Sequence, residues 1–351
     1  MTSKIFYVIS IVRGYEQLYN EQDILAKICW LYYFKQHTQQ QIASQLNISR
    51  IKVQRLLTEA KEKGIVRFKI AQDKYNLLSL EEEFKTCFNL DDVIIVPSDS
   101  LLPINDKELK KELAEAARIY LENRLSRFGY IGIGMGDTLR YFAEKLTVQQ
   151  GFSNKDIKII SLFGNLLLNA SVNPYSIGYK IAEKLGGTFY GLWAPAKLDS
   201  DEFASAFRQQ KLIKDVLLMM DKVQLSIIGI GNINTGLIRK FNLVSEKEFD
   251  ALLSRKAVGE ILGYWFNIEG SEVMPELRKK IIGAPIKLPG KTLAIAGGMD
   301  KVNPIMGALH GKLIDILITN EKTAKIIIEK EKTIKLKKSG GAIQKSYIQN
   351  L

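Results

Sequence analysis

Two sets of residues in this 351-residue chain have types and spacing suited to chemistry. The first is Arg50, Lys52, Gln54 and Arg55, preceded by Ser49 and, one helix earlier, by Gln39. Arginine can pair bidentately with guanine and glutamine with adenine, so such side chains on one helix face can read base edges in a major groove. The second set is three glycine-containing segments, GIGMGDTL (132–139), SIIGIGNINTG (226–236) and AIAGGMDK (294–301), with AVGEILGYWFN (257–267) between the last two. Glycines such as Gly134 and Gly136 let backbone approach an anion, and the Thr138 hydroxyl can donate to it. A helix opening after that loop adds unpaired amides and its dipole. Glu260 can accept the paired hydroxyls of a polyol, and Lys301 can neutralise a phosphate or a sugar acid. The first segment fails as a dinucleotide fingerprint, because Thr138 and Leu139 stand where a further glycine is required; it fits a single phosphate.

The elements that hold the first set are written into residues 38–70. Gln39 to Leu46 reads as a short amphipathic helix with Ile42, Ala43 and Leu46 on its apolar side. Asn47-Ile48-Ser49 supplies a turn, and Ser49 is suited to cap the next helix because its hydroxyl can accept an orphan amide hydrogen bond. That helix, Arg50 to Lys63, is expected to bury Val53, Leu56, Leu57 and Ala60, and Gly64 to end it as a left-handed cap. Ile65 to Ile70 alternates apolar residues with Arg67 and Lys69, the pattern of a basic strand or wing. The whole predicts a winged helix-turn-helix with its reading side chains where a major groove meets them. An upstream helix, Ile24 to Phe34, should complete the module's core. Its aromatics Trp30, Tyr32, Tyr33 and Phe34 suit packing better than base stacking.

An apolar fraction of 46% and a charged fraction of 25% are those of an ordinary globular protein. The formal charge of +12 is concentrated at the ends. Residues 1–75 hold twelve Lys and Arg against six Asp and Glu, residues 329–351 hold six against two, and the body between is almost neutral. Basic ends suit a DNA-binding protein whose body does something else. Cys29 and Cys87 have no metal-type spacing and read as free thiols, so neither metal nor cofactor is expected. The apolar run Ile5 to Val12 is too short to span a bilayer and no cleavage site follows it, which predicts a cytoplasmic protein with no membrane partner.

From Val93 onward, strands (93–96, 130–134, 157–163, 188–193, 224–230, 292–296, 314–319) alternate with helices. The helices are expected at 107–127, from about 135 to 145, and at 174–185, 203–221, 246–256, 302–311 and 321–329. This alternation means a doubly wound α/β domain, a parallel sheet covered on both faces that takes its ligand at the carboxyl ends of the strands. The expected organisation is an extension (1–22), a winged helix-turn-helix domain (23–72), a linker helix (73–90), an α/β effector domain (91–330) and a solvated basic tail (331–351). The linker stripe Leu77, Leu80, Phe84 and Phe88 suits either a contact with a second subunit or packing on the next domain.

The stretch YYFKQHTQQQIASQLNISRIKVQRLLTEAKEKGIV resembles the DNA-binding module of the SorC family of sugar-responsive bacterial regulators. The resemblance continues in the family's order through GIGMGDTL, NPYSIGYKIAEKLGGTFYGLWAPA, LSIIGIGNI, AVGEILGYWFNIEG and IAGGMDKVNPIMGALHGKLIDILITNEKTA, covering roughly residues 24–330. It implies a winged module joined to an effector domain similar in fold to glucosamine-6-phosphate deaminase and ribose-5-phosphate isomerase. It further implies a sugar phosphate on the loop of Gly134, Gly136 and Thr138, with Glu260 and Lys301 in the same pocket and Asn173 near the sugar. The implied partners are a double-stranded DNA operator, a sugar or sugar phosphate, and further copies of the chain in a dimer or tetramer. Four positions depart from the family pattern. Asp137 stands where a basic or hydroxyl residue is common, Asn165 for a glycine, Asn320 for an aspartate and His310 for an arginine. An acid at position 137 would repel a phosphate unless it points away.

Because the implied fold resembles that of sugar-phosphate isomerases, catalysis is the competing expectation. Isomerisation or deamination needs a poised acid and base near the sugar carbons. Of the two histidines, His37 falls in the DNA-binding module and His310 on a helix expected to face away from the rim. Glu260 could act as a base, but no second group is evidently paired with it, and Lys180 and Lys197 are the candidates for a Schiff base. The sequence therefore favours a regulator of a carbohydrate-catabolism operon over an enzyme.

Overall fold

The computed structural model describes residues 21–66, 72–98, 105–147, 156–166 and 170–348. The chain divides into two compact units, Met1–Lys74 and Tyr75–Leu351.

The first unit is built from α1 (Glu21–Cys29), α2 (Gln39–Leu46) and α3 (Arg50–Glu62). Leu25, Ile28, Leu31, Ile42, Ala43, Val53, Leu57 and Ala60 recur at helical spacing and form its buried core. Leu56, expected inside, is only partly buried against it. The helix expected to run to Phe34 passes instead into a π-helical turn, Trp30–Phe34, where the Lys35 N–H donates to the Trp30 carbonyl at 3.1 Å. Tyr32 and Tyr33 pack on the core as expected, whereas Trp30 and Phe34 are exposed. Helix α2 opens with a capping box that the sequence reading overlooked. Thr38 Oγ1 accepts from the Gln41 N–H at 3.2 Å, and the Gln41 side chain accepts from the Thr38 N–H at 2.8 Å. Ser49 caps α3 as predicted, its hydroxyl accepting from the Lys52 N–H at 3.1 Å, and Gly64 takes φ 69° just beyond it. Most of the expected wing, including Arg67 and Lys69, lies outside the described residues.

In the second unit seven strands form one parallel sheet. They are β1 (Asp92–Val96), β2 (Tyr130–Ile133), β3 (Lys158–Ser161), β4 (Thr188–Tyr190), β5 (Leu225–Ile228), β9 (Lys291–Ile295) and β10 (Ile316–Asn320), in the order β1-β10-β9-β5-β2-β3-β4. Successive residues alternate between two cores. Ile131, Ile133, Ile227, Leu293 and Ile295 meet α5 (Asp106–Glu122), α6 (Asp137–Lys145) and α7 (Pro174–Leu185) on one face. Ile228, Ala294 and Leu317 belong to the other cluster, with residues of α4 (Gln72–Phe88), α9 (Lys211–Met220), α10 (Glu246–Ser254), α11 (Val302–His310) and α12 (Glu321–Ile348). The single helix expected over 203–221 is two, α8 (Asp201–Arg208) and α9, parted at Gln209 and Gln210.

Three further differences bear on function. A small antiparallel sheet, β6 (Gly231–Asn232), β7 (Gly259–Ile261) and β8 (Tyr264–Phe266), was not foreseen, because its strands are too short to carry a periodic signal. The linker stripe packs within the second unit: Phe84 and Leu80 are buried in the cluster around β5 and β9, with Leu77 and Phe88 against it. The basic tail does not fray at residue 331. It continues α12, whose Ala324, Ile327, Ile328 and Glu331 are buried.

Candidate functional site

In the first unit, α3 turns Val53, Leu57 and Ala60 inward, while Arg50 at its start, Gln54 and Arg55 are exposed. Lys52 and Gln39 are half-buried, and Ser49 is exposed with its hydroxyl engaged in capping. Among the described residues, no carboxylate pairs with Arg50, Lys52 or Arg55, so these cations are available to a phosphate backbone. The face holds one residue the sequence reading passed over. Ile51 is 79% exposed between Arg50 and the Gln54–Arg55 pair, and its apolarity in a run of polar residues was the signal.

In the second unit the chain leaves β2 toward β3 and leaves β5 toward β9, so the sheet's switch point lies between the carboxyl ends of β2 and β5. A cavity of about 110 Å³ lies there, lined from five directions. The β2 loop contributes Met135, Gly136, Asp137 and Thr138; the β5 loop Gly229 to Gly231, with Thr235 and Gly236; the β9 loop Gly297 and Lys301; the small sheet Glu260 and Leu262; and α5 Lys110. The three glycine segments and Glu260, separated in sequence, thus converge on one rim. Lys110 was missed because no motif surrounds it.

Local geometry explains the glycines. Gly136 has φ 129°, a conformation that side chains resist, and it opens α6 without a side-chain cap, so the first-turn amides have no partner from a capping side chain. A methyl group on Gly231 would collide with the Glu260 carboxylate. Gly134 does not line the cavity: its N–H donates to Ile227 O at 2.9 Å, and its lack of a side chain leaves room for Leu262. Asn173 also lies apart from the lining set. Its side chain fastens the backbone of Leu166, accepting from the N–H at 2.6 Å and donating to the carbonyl at 2.9 Å. The adjacent Val172 carbonyl accepts from the Gly136 N–H at 3.2 Å, so this segment braces the loop from behind.

Glu260 is 5% exposed and accepts one hydrogen bond, from the Gly263 N–H at 3.2 Å. Burial pushes its carboxyl up to about 7, against the opposing pull of that amide and of the Lys301 charge. Burial also lowers the Lys301 ammonium, while Asp300, 3.9 Å away, and Glu260 work to raise it. Desolvation dominates for both groups. Lys301, whose ion-pair partner is Asp300, lines the same cavity as Glu260. Lys180 and Lys197 do not line it, and Lys197 is paired with Glu248 at 2.6 Å. Among the described residues, no group of His, Cys, Asp or Glu is placed to hold a metal ion.

The family profile of the sugar-binding domain matches residues 73–329. The chain is 28% identical to the transcriptional regulator LsrR of Enterobacter sp. (strain 638) over 88% of this chain and 93% of the relative. It is also 28% identical to the sorbitol operon regulator of Klebsiella pneumoniae, over 88% of this chain and 99% of that one. The crystal structure of full-length SorC from Klebsiella pneumoniae superposes with a TM-score of 0.66 at 27% identity, covering 87% of this chain and 98% of that chain. The chain belongs to the SorC family of sugar-binding transcriptional regulators.

The positions that depart from the SorC pattern are each accommodated. Asp137 is flanked by Lys110 Nζ at 3.7 Å and Arg140 at 3.5 Å, so its charge is countered. The Asn165 side chain donates to Leu192 O at 3.3 Å. Asn320 Oδ1 accepts from the Gly298 N–H at 3.1 Å and from the Thr323 hydroxyl at 2.7 Å, fixing the β9 loop. His310 lies between Ile268 O at 2.7 Å and Glu331 Oε2 at 2.8 Å, tying α11 to α12 away from the cavity.

Proposed function

We propose that this SorC-family regulator binds a specific double-stranded DNA operator through α3 and changes its grip when a sugar or sugar phosphate occupies the cavity at the switch point. The observation that carries this reading is the convergence of Thr138, Glu260 and Lys301 on one cavity, in a chain whose other unit presents Arg50, Gln54 and Arg55 to solvent. In the assigned roles Arg50 and Gln54 read base edges, and Arg55 and Lys52, with Arg67 and Lys69 of the wing segment, hold phosphates. Gln39 anchors the first helix of the pair and Ser49 positions α3. Ile51 offers an apolar surface of the kind a thymine methyl fills. Relatives named for sorbitol operon regulation and erythritol catabolism support a carbohydrate operon as the target. The regulator acts in the cytoplasm as a dimer or tetramer, since a palindromic operator needs two reading modules. No helix among the described residues is long and apolar enough to cross a membrane.

The test is a fluorescence-anisotropy titration of the DNA upstream of the chain's own operon against scrambled DNA at fixed salt, with and without a pool of sugar phosphates. Selective binding that shifts with the pool supports both halves; absence of selectivity overturns the regulator.

One observation favours a second reading. Burial drives Glu260 and Lys301 toward their neutral forms in one cavity, and poised acid–base pairs in enzymes arise from such shifts. Under that reading the pool is converted by the protein, and mass spectrometry of the incubated compounds detects the product. Unchanged compounds that alter operator binding leave the regulator alone standing.

A further inference from the structure

A second cavity, of about 370 Å³, is walled by α8, α9, the turn between β7 and β8, and residues 278–288. Leu217, Ile261, Leu262, Ile281, Ile286 and Leu288 give it a mostly apolar lining, and its size is that of a small-molecule site. Three cations stand among these apolar groups: Arg208, Arg278 and Lys279. Arg278 is answered by Glu272 at 2.8 Å, and Lys279 is exposed to solvent. Arg208 differs from both. It is half-buried, and among the described residues no carboxylate forms an ion pair with it. Asp201, two turns earlier on the same helix, also lines the cavity but attracts the guanidinium only from beyond ion-pair range. The fixed partners of Arg208 are two backbone carbonyls, those of Lys279 and Ile281, both reached through Nη2. They anchor the guanidinium and leave its Nε and Nη1 without a partner among the described residues. Burial pushes the group below its ordinary value; Asp201 opposes that shift and Arg278 adds to it. Arginine nevertheless keeps its charge, and a desolvated cation is best compensated by an anion placed against its open edge.

We propose that this cavity is a second ligand site, separate from the one at the switch point, for a small monoanion with an apolar body. Its carboxylate takes the open edge of Arg208, and its body lies against Leu217, Ile261, Leu262 and Ile286. The walls select this class from both sides. A free sugar would bring hydroxyls that apolar side chains cannot satisfy. A doubly charged phosphate would bring more charge than the one lining cation that is both desolvated and without an ion pair can answer. A neutral apolar molecule would fill the space and leave Arg208 uncompensated.

The experiment titrates the full chain with octanoate, beside 1-octanol and octylamine as neutral and cationic controls with the same body. Binding is read by calorimetry and as a saturable shift in melting temperature. Octanoate should saturate a single site per chain. Octanol should bind about tenfold or more weakly, the loss expected on removing a charge-assisted hydrogen bond, and octylamine more weakly still. Ala284→Phe fills the cavity from a residue that does not line the switch-point cavity, whereas Leu262 lines both. It should abolish the octanoate response. Arg208→Met should reduce octanoate to the affinity of octanol. Because that change also removes two backbone hydrogen bonds, the melting temperature without probe checks its fold, and Ala284→Phe with the octanol comparison decides the matter if it unfolds. A wild type that ignores octanoate, octanoate and octanol bound within a factor of about two, or an Ala284→Phe variant that binds octanoate as wild type does overturns the proposal. Sedimentation is run in parallel. If wild type ignores octanoate and Ala284→Phe dissociates into smaller species, a second copy of the chain covers the cavity, which also overturns it.

Discussion

The face proposed to read DNA draws Arg50, Ile51, Gln54 and Arg55 from six consecutive residues of one helix. The cavity proposed for the ligand draws Lys110, Thr138, Glu260 and Lys301 from four separate elements. In the first, position follows from helical period and a serine cap, with no long-range contact needed to order the side chains along the face. In the second, no two of the four groups share an element, and their distances exist only once the parallel sheet has closed. Their charges differ as well. The cations of α3 face solvent, where salt screens them and where charges of this kind steer association with a polyanion. Glu260 and Lys301 are desolvated, and each is pushed toward its neutral form. A surface reader is thus robust to change elsewhere in the chain, while the buried site depends on the packing of the whole domain.

The largest test of this contrast lies in the linker helix. Phe84 is fully buried within the second unit. Replacing it with alanine should cost about 3–5 kcal/mol of that unit's stability, read from denaturant midpoints. A loss that instead varies with protein concentration would show that the stripe is a subunit contact.

Next is the pH dependence of Glu260, whose folded value of about 7 lies above its ordinary 4.5. A raised carboxyl favours folding fully below the ordinary value, and that contribution is lost as pH rises through the folded one. Between about pH 5 and 8, wild type should therefore lose roughly 2–3 kcal/mol relative to Glu260→Gln. Parallel stability curves for the two proteins would contradict the burial argument.

Base reading comes third. Arg50→Ala or Gln54→Ala should cost about 1–3 kcal/mol in operator binding and relax specificity at one base position. A uniform loss over all sequences, with a shallower salt dependence, would reassign the residue to a phosphate. The smallest effect is at the cap: Ser49→Ala should lower the first unit's stability by about 1 kcal/mol. A larger loss of operator affinity than of stability would mean that Ser49 also touches DNA.

The same contrast explains what was legible before the structure. The helix pair could be read directly because apolar spacing, turn and cap are contiguous, and the parallel sheet because fully apolar strands alternate with amphipathic helices. Glu260 and Lys301 were visible through the glycines beside them. Lys110 was not, since a lysine in KELKKEL looks like any solvated helical charge until α5 is packed beside the β2 loop. The π-helical turn at Trp30 and the two-residue strand β6 carry no periodic signature, and the sequence offers no distinction between a stripe that packs inward and one that meets a partner. For Asn173 the sequence likewise carried no sign of its hydrogen bonds to the Leu166 backbone, because those partners meet only in the fold.

The central claim is that reading DNA and sensing the ligand belong to different units, coupled but separable. Its most direct test is an operator titration of Lys301→Met beside Arg50→Ala, each with and without the sugar-phosphate pool. Lys301→Met should bind the operator as wild type does and ignore the pool, while Arg50→Ala should lose the operator yet keep its melting-temperature response to the pool. If Lys301→Met abolishes operator binding while remaining folded, or Arg50→Ala abolishes the ligand response, the two roles are not divided as proposed.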